Sequence, residues 1–173
     1  MKNKSRSTKQ RFVSQLAFDD RRVGAAAVYC SDGRYGEQMD EFLHVGLGLP
    51  RYDRVALPGG AACLAGHLVK AYYDKVALER QLEFLISAHS LTRVVLIAHQ
   101  GCGFYKDVWT NGASVEQQQM DDLRAAAKLI ATSNRQVAVE TYFARRVDGK
   151  VLFEPWGSEA PAASSEVATQ SLG

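Results

Sequence analysis

Val94-Val95-Leu96-Ile97-Ala98-His99-Gln100-Gly101-Cys102-Gly103 is the stretch on which the reading of this chain turns. Its first five residues are all apolar and three of them β-branched, the pattern of a strand buried on both faces. Glycines at 101 and 103 then break the run and present His99 and Cys102 in a turn. The arrangement occurs a second time upstream, where Gly24-Ala25-Ala26-Ala27-Val28-Tyr29 runs into Cys30-Ser31-Asp32-Gly33-Arg34. Two apolar strands thus end in side chains able to ligate a metal. If the strands are parallel neighbours, Cys30, His99 and Cys102 meet at the carboxyl edge of one sheet, where open α/β sheets place their ligands.

Two thiolates and an imidazole suit Zn²⁺, and three protein ligands leave a fourth position open, as in catalytic rather than structural zinc sites. Asp32 and Arg34 add a carboxylate and a guanidinium that a structural site does not need. Cys-x-Asp-x-Arg followed by His-x-x-Cys, each after an apolar strand, resembles the β-class carbonic anhydrases, and the resemblance runs from Val23 to Phe153.

That resemblance implies a single α/β domain with a central, mostly parallel β-sheet flanked by helices. It implies zinc on Cys30, His99 and Cys102, and reversible hydration of carbon dioxide to bicarbonate by a zinc-bound hydroxide. Asp32 then accepts a hydrogen bond from that hydroxide. Arg34 decides whether Asp32 stays off the metal or closes the site as a fourth ligand. The family also implies a homodimer or higher homo-oligomer. Its Arg-Asn-Ala-Gly-Asn-like loop is replaced here by Ala56-Leu57-Pro58-Gly59-Gly60, which keeps only the glycines. Gly59 and Gly60 then form either a loop lining the substrate site or a tight strand-to-helix turn. Two other functions remain open: a non-catalytic zinc protein with an assembly or regulatory role, and a hydrolase of COS or CS₂ using the same metal.

Composition narrows the field. A chain of 173 residues, 46% hydrophobic, is long enough for one core-forming domain. A net charge of +2 gives no argument for a nucleic-acid or membrane partner, and neither is expected. No apolar run reaches the roughly 18 residues of a membrane span. Met1 to Arg11 is basic without an apolar signal core, and three cysteines fit reduced thiols, so a cytoplasmic location is expected.

The expected organisation has three parts. Residues 1–22 form a basic tail with Lys2, Lys4, Arg6 and Lys9, either solvated or an arm for an anionic partner. Phe12, Val13, Leu16 and Phe18 in its second half suit a short helix, which by the resemblance clasps the other subunit. Residues 23–156 form the zinc-binding domain, and 157–173 a disordered tail. Within the domain, helices are expected over Glu37–Leu47, Ala61–Tyr73 and Ser114–Ile130, and where Leu78, Leu82, Leu85 and Ile86 repeat at helical spacing. Strands are expected at Arg54–Leu57 and Val137–Phe143, and Asp148-Gly149 signals a hairpin into Val151–Phe153. Cys63 reads as packing, and His44, His67 and His89 as ordinary histidines. Leu57, Phe104 and Tyr105 are candidates for apolar walls, and Gln38 or Gln100 for a substrate contact.

Overall fold

The computed structural model describes residues 11–66, 72–108 and 114–157. Five strands form one sheet: β1 Ala25–Cys30, β2 Asp53–Leu57, β3 Arg93–His99, β4 Ala138–Val147 and β5 Lys150–Pro155. Their order is β2-β1-β3-β4-β5, with β4 and β5 antiparallel and every other neighbouring pair parallel. The antiparallel pair is joined through Asp148 (φ 48°) and Gly149 (φ 76°), the positive dihedrals that a two-residue hairpin turn matching the strand twist requires.

Strands apolar on both sides need cover on both faces, and the connections supply it. After β1 come a 3₁₀ turn at Gly33–Tyr35, α1 at Gly36–Glu41 and a π-helical turn at Phe42–Gly46. Met39 and Leu43 from this segment pack with Ala25, Ala27, Val95 and Ile97 on one face of the sheet. Between β2 and β3 lie α2 Ala62–Ala65 and α3 Tyr72–His89, and between β3 and β4 lie α4 Gly103–Val108 and α5 Val115–Ser133. Leu78, Leu82 and Ile86 of α3 and Leu123, Ala126 and Ile130 of α5 cover the other face, against Ala26, Val28, Val94 and Leu96. The alternation along β1 and β3 is the period-two geometry of a strand divided between two cores.

The connectivity positions the site. From β1 the chain moves to β2 on one side, then crosses back to β3 on the other. The connections that leave the carboxyl ends of β1 and β3 therefore diverge, which opens a crevice at the topological switch point. Cys30 and His99 are the last residues of those two strands.

Three expectations need correction or limits. Residues 11–22 contain no helix in the single chain, and among the described residues Phe12, Val13, Leu16 and Phe18 find no cover, standing 77–93% exposed. The helix expected over Ala61–Tyr73 is not continuous, because α2 stops at Gly66 in the left-handed region (φ 80°), a common helix stop. The short α4 had no periodic signal and was not anticipated. Residues 1–10 and 158–173, with His67, lie outside the described residues.

Candidate metal centre

The sheet brings the three expected ligands together. The donor atoms of Cys30, His99 and Cys102 all lie within 4.8 Å of one another, and all three residues are buried. The two sulfurs are 3.8 Å apart, well beyond a disulfide bond. Tetrahedral zinc with Zn–S bonds of about 2.3 Å places two sulfurs about 3.8 Å apart, so the observed spacing fits the ion directly.

The imidazole gives an independent test of fit. His99 Nδ1 donates to the Gln100 carbonyl at 3.1 Å, which leaves Nε2 as the lone-pair nitrogen. Nε2 is buried and has no hydrogen-bond partner among the described residues. A buried acceptor left unpaired costs about 1–3 kcal/mol, and a metal ion removes that cost. A ligating histidine ordinarily donates its second nitrogen to a carbonyl or carboxylate, and His99 Nδ1 makes a bond of that kind. The donor set and its geometry therefore fit a zinc ion.

Neighbouring side chains fix the three candidate ligands in place. The Tyr35 hydroxyl donates to the same Gln100 carbonyl at 2.8 Å, and its ring lies 4.4 Å from that of His99. Buried Gln119 on α5 donates from Nε2 to the His99 carbonyl at 2.9 Å. Cys102 sits just before α4, and its thiol is lowered to about 6. The largest cause is the hydrogen bond from Cys30, followed, against the effect of burial, by the backbone amides of Tyr105, Phe104 and Gly59. The Cys30 thiol is pushed up in turn, by its bond to Cys102 and by burial.

Asp32 and Arg34 form a forked pair beside this cluster. Arg34 Nε donates to Oδ1 at 2.9 Å and to Oδ2 at 3.1 Å, and Nη2 also donates to Oδ2. The Arg34 backbone amide adds a bond to Oδ1 at 3.1 Å. These bonds, the side-chain one foremost, hold the Asp32 carboxyl at about 2, so it is charged at neutral pH. Among the described residues the ligand cluster does not include the Asp32 carboxylate.

The glycine loop also reaches the site. Gly60 (φ 54°) lies so close to β1 that a Cβ there would meet Cys30 N and Tyr29 C at 2.8 Å. A Cβ on Gly59 would collide with the Phe104 ring. Phe104 and Tyr105 pack in one cluster with Cys30 and Cys102, whereas Leu57 joins the larger core under α3. We expect Gly60→Ala to lower stability by about 1–3 kcal/mol through strain and backbone displacement, and to reduce zinc content because Cys30 moves. Gly24→Ala is the control, since a Cβ there meets nothing within 4 Å. Equal melting temperatures and equal zinc in the two variants would remove the loop from the site.

Other residues fall elsewhere. Cys63 is buried and its thiol faces the Pro58 carbonyl at 3.7 Å, a packing residue as expected. His89 pairs with Asp53, and the His44 ring lies 5.6 Å from that of Tyr52, tilted by 54°. Gln38 and Gln100 line a separate cavity with Arg34. Tyr35, Gln119 and the buried bond from the Tyr105 hydroxyl to Asp122 (2.6 Å) were not anticipated. A buried glutamine inside the polar run Glu116–Gln119 has no periodic signature.

The family described as "Putative carbonic anhydrase" matches residues 21–152, a span that includes both strand ends. Among solved structures, β-carbonic anhydrase isoform I from the protozoan Trichomonas vaginalis superposes with a TM-score of 0.52 at 12% identity, covering 84% of this chain and 90% of that one. A tetrameric β-carbonic anhydrase from the ascomycete Sordaria macrospora gives a TM-score of 0.49 at 14% identity, covering 77% and 81%. The β-carbonic anhydrase CafA of Aspergillus fumigatus gives 0.47 at 15%, covering 78% and 76%. No curated protein matches the chain in sequence. With most of its length inside the family match and its sheet that of a β-carbonic anhydrase, the chain belongs to this carbonic anhydrase family.

Proposed function

We propose that the chain is a zinc-dependent carbonate dehydratase that interconverts carbon dioxide and bicarbonate. The observation that carries this reading is the buried Cys30–His99–Cys102 cluster, with His99 Nε2 unpartnered among the described residues and the sulfurs at tetrahedral spacing. Zinc held there supplies a Lewis acid that makes water nucleophilic near neutral pH. The two thiolates cancel the charge of a dication, which moves the working range towards higher pH than at a three-histidine site. Asp32, ionised and fixed by Arg34, accepts a hydrogen bond from the attacking water and orients it. Phe104 and Tyr105 give the site an apolar wall that suits an uncharged linear substrate. Gln119 and Tyr35 hold the backbone from which His99 projects.

Stopped-flow hydration of carbon dioxide on metal-quantified protein tests this. Activity rising from neutral to alkaline pH, in proportion to bound zinc, is expected. Zinc near one per chain with no turnover at any pH would make the site non-catalytic. Turnover of COS far above that of carbon dioxide would reassign the substrate.

We further propose that the working form is a homodimer or larger homo-oligomer. The segment 11–18 leaves its own subunit with four large apolar side chains in water, which is costly unless a second copy covers them. Deleting residues 1–18 should shift sedimentation towards the monomer. A parent that sediments as a monomer at micromolar concentration would refute the assembly. Among the described residues no helix is long and apolar enough to cross a membrane.

A further inference from the structure

Beside the metal centre, between α1 and the β4–β5 hairpin, lies a second cavity of about 240 Å³. Arg34, Gln38, Gln100, Gly101, Arg146 and Lys150 line it. Of its three cations, Arg34 is paired with Asp32, while Arg146 and Lys150 make no ion pair among the described residues. Like charges gathered around a concavity raise the local positive potential and concentrate anions there. Arg146 lies with Val151 on the hairpin face turned towards α1, Lys150 lines the cavity from beside the turn, and two unneutralised cations match a dianion better than a single charge.

The neutral donors point the same way. Gln100 Oε1 accepts from the Arg146 backbone amide at 3.1 Å, which assigns its NH₂ group as a donor at the cavity wall. Gln38, half-buried on α1, adds a second carboxamide. A guanidinium with amide donors around it provides the forked, charge-assisted bonds that oxyanions take. At about 30 Å³ per water molecule, the volume exceeds what one small inorganic anion fills.

We propose that this cavity binds a dianionic phosphoryl group, as free phosphate or as a small phosphomonoester, on Arg146 and Lys150 with donors from Gln38 and Gln100. The proposal stands apart from the carbon dioxide reading, because neither hairpin cation belongs to the metal site.

Titration calorimetry on the full chain, with inorganic phosphate and with glycerol 3-phosphate at fixed ionic strength, tests it. One saturable site per chain is expected. Arg146→Gln and Lys150→Gln should each weaken binding about tenfold or more, the scale of a lost charged hydrogen bond. Both residues are exposed on the hairpin, so the variants should keep the parent's near-ultraviolet circular dichroism. Arg124→Gln, which removes an exposed arginine paired with Asp121 on α5, should bind like the parent. Equal affinity for the two ligands assigns recognition to the phosphoryl group alone. Tighter binding of the ester adds the remaining volume to it. Absence of a saturable heat, or equal losses in the Arg124 and hairpin variants, would overturn the proposal.

Discussion

Cys102→Ser should lose zinc almost completely and carbon dioxide hydration with it. Even partners that only orient a ligand cost about 10–100-fold in metal affinity when removed, so loss of a ligand atom should exceed about 100-fold. Serine is close to cysteine in size, which keeps the void small. Its hydroxyl stays protonated at neutral pH and cannot replace the thiolate that Tyr105, Phe104 and Gly59 amides stabilise. Cys30→Ser should behave in the same way. Stability should fall too, because a metal that ties the end of β1 to the turn after β3 couples its binding energy to folding. Cys63→Ser separates ligation from packing: it is equally buried but lies against the Pro58 carbonyl, outside the cluster. That variant should keep its zinc. Competition with a chromophoric chelator measures all three. Parent-like zinc in Cys102→Ser, or equal zinc loss in Cys63→Ser, would break the assignment.

The core of this reading was legible because burial on two faces leaves a direct mark on composition. The apolar runs at Ala25–Tyr29 and Val94–Ala98 could be nothing but central strands or buried helices, and the glycine turns after them favoured strands. Parallel pairing then follows from the long connections, and with it the meeting of Cys30 and His99. The hairpin at Asp148-Gly149 was equally plain, since few residues tolerate two positive φ values in a row.

What was not legible depends on tertiary partners. Gly66 looks like an ordinary small residue in a small-residue helix, yet it adopts the left-handed conformation that ends α2. Phe12 to Phe18 carry a helix-like apolar pattern, but a short amphipathic segment folds only against a surface, and among the described residues these side chains have none. Gln119 sits in a polar run and still points inward, because the His99 carbonyl at the end of β3 needs a donor. The Gly59-Gly60 loop was ambiguous as a sequence. Its role shows only in the close approach of Gly60 to the backbone of Cys30.

Asp32→Asn should retain zinc and lose turnover by about 10²-fold or more, the usual range for a proton-handling group. An amide keeps the shape but presents a donor where the carboxylate offered only acceptors, and it cannot keep both bonds to Arg34 on equal terms. Arg34→Ala tests the other half of the pair. Arg34 is largely exposed and makes three side-chain bonds to a carboxylate that is mostly shielded, so its removal frees Asp32 without opening a core. A freed carboxylate two residues from Cys30 has a divalent cation as its best remaining partner, and should take the fourth position. Turnover in Arg34→Ala should then fall most at low pH and recover in alkali, where hydroxide competes for the metal. Arg34→Lys keeps the charge but not the fork and should fall between the two. Zinc-edge absorption spectroscopy separates a carboxylate ligand from water in each variant across pH. Unchanged spectra and an unchanged pH–rate profile in Arg34→Ala would leave the pair a brace for the turn after β1, with no part in opening the metal site.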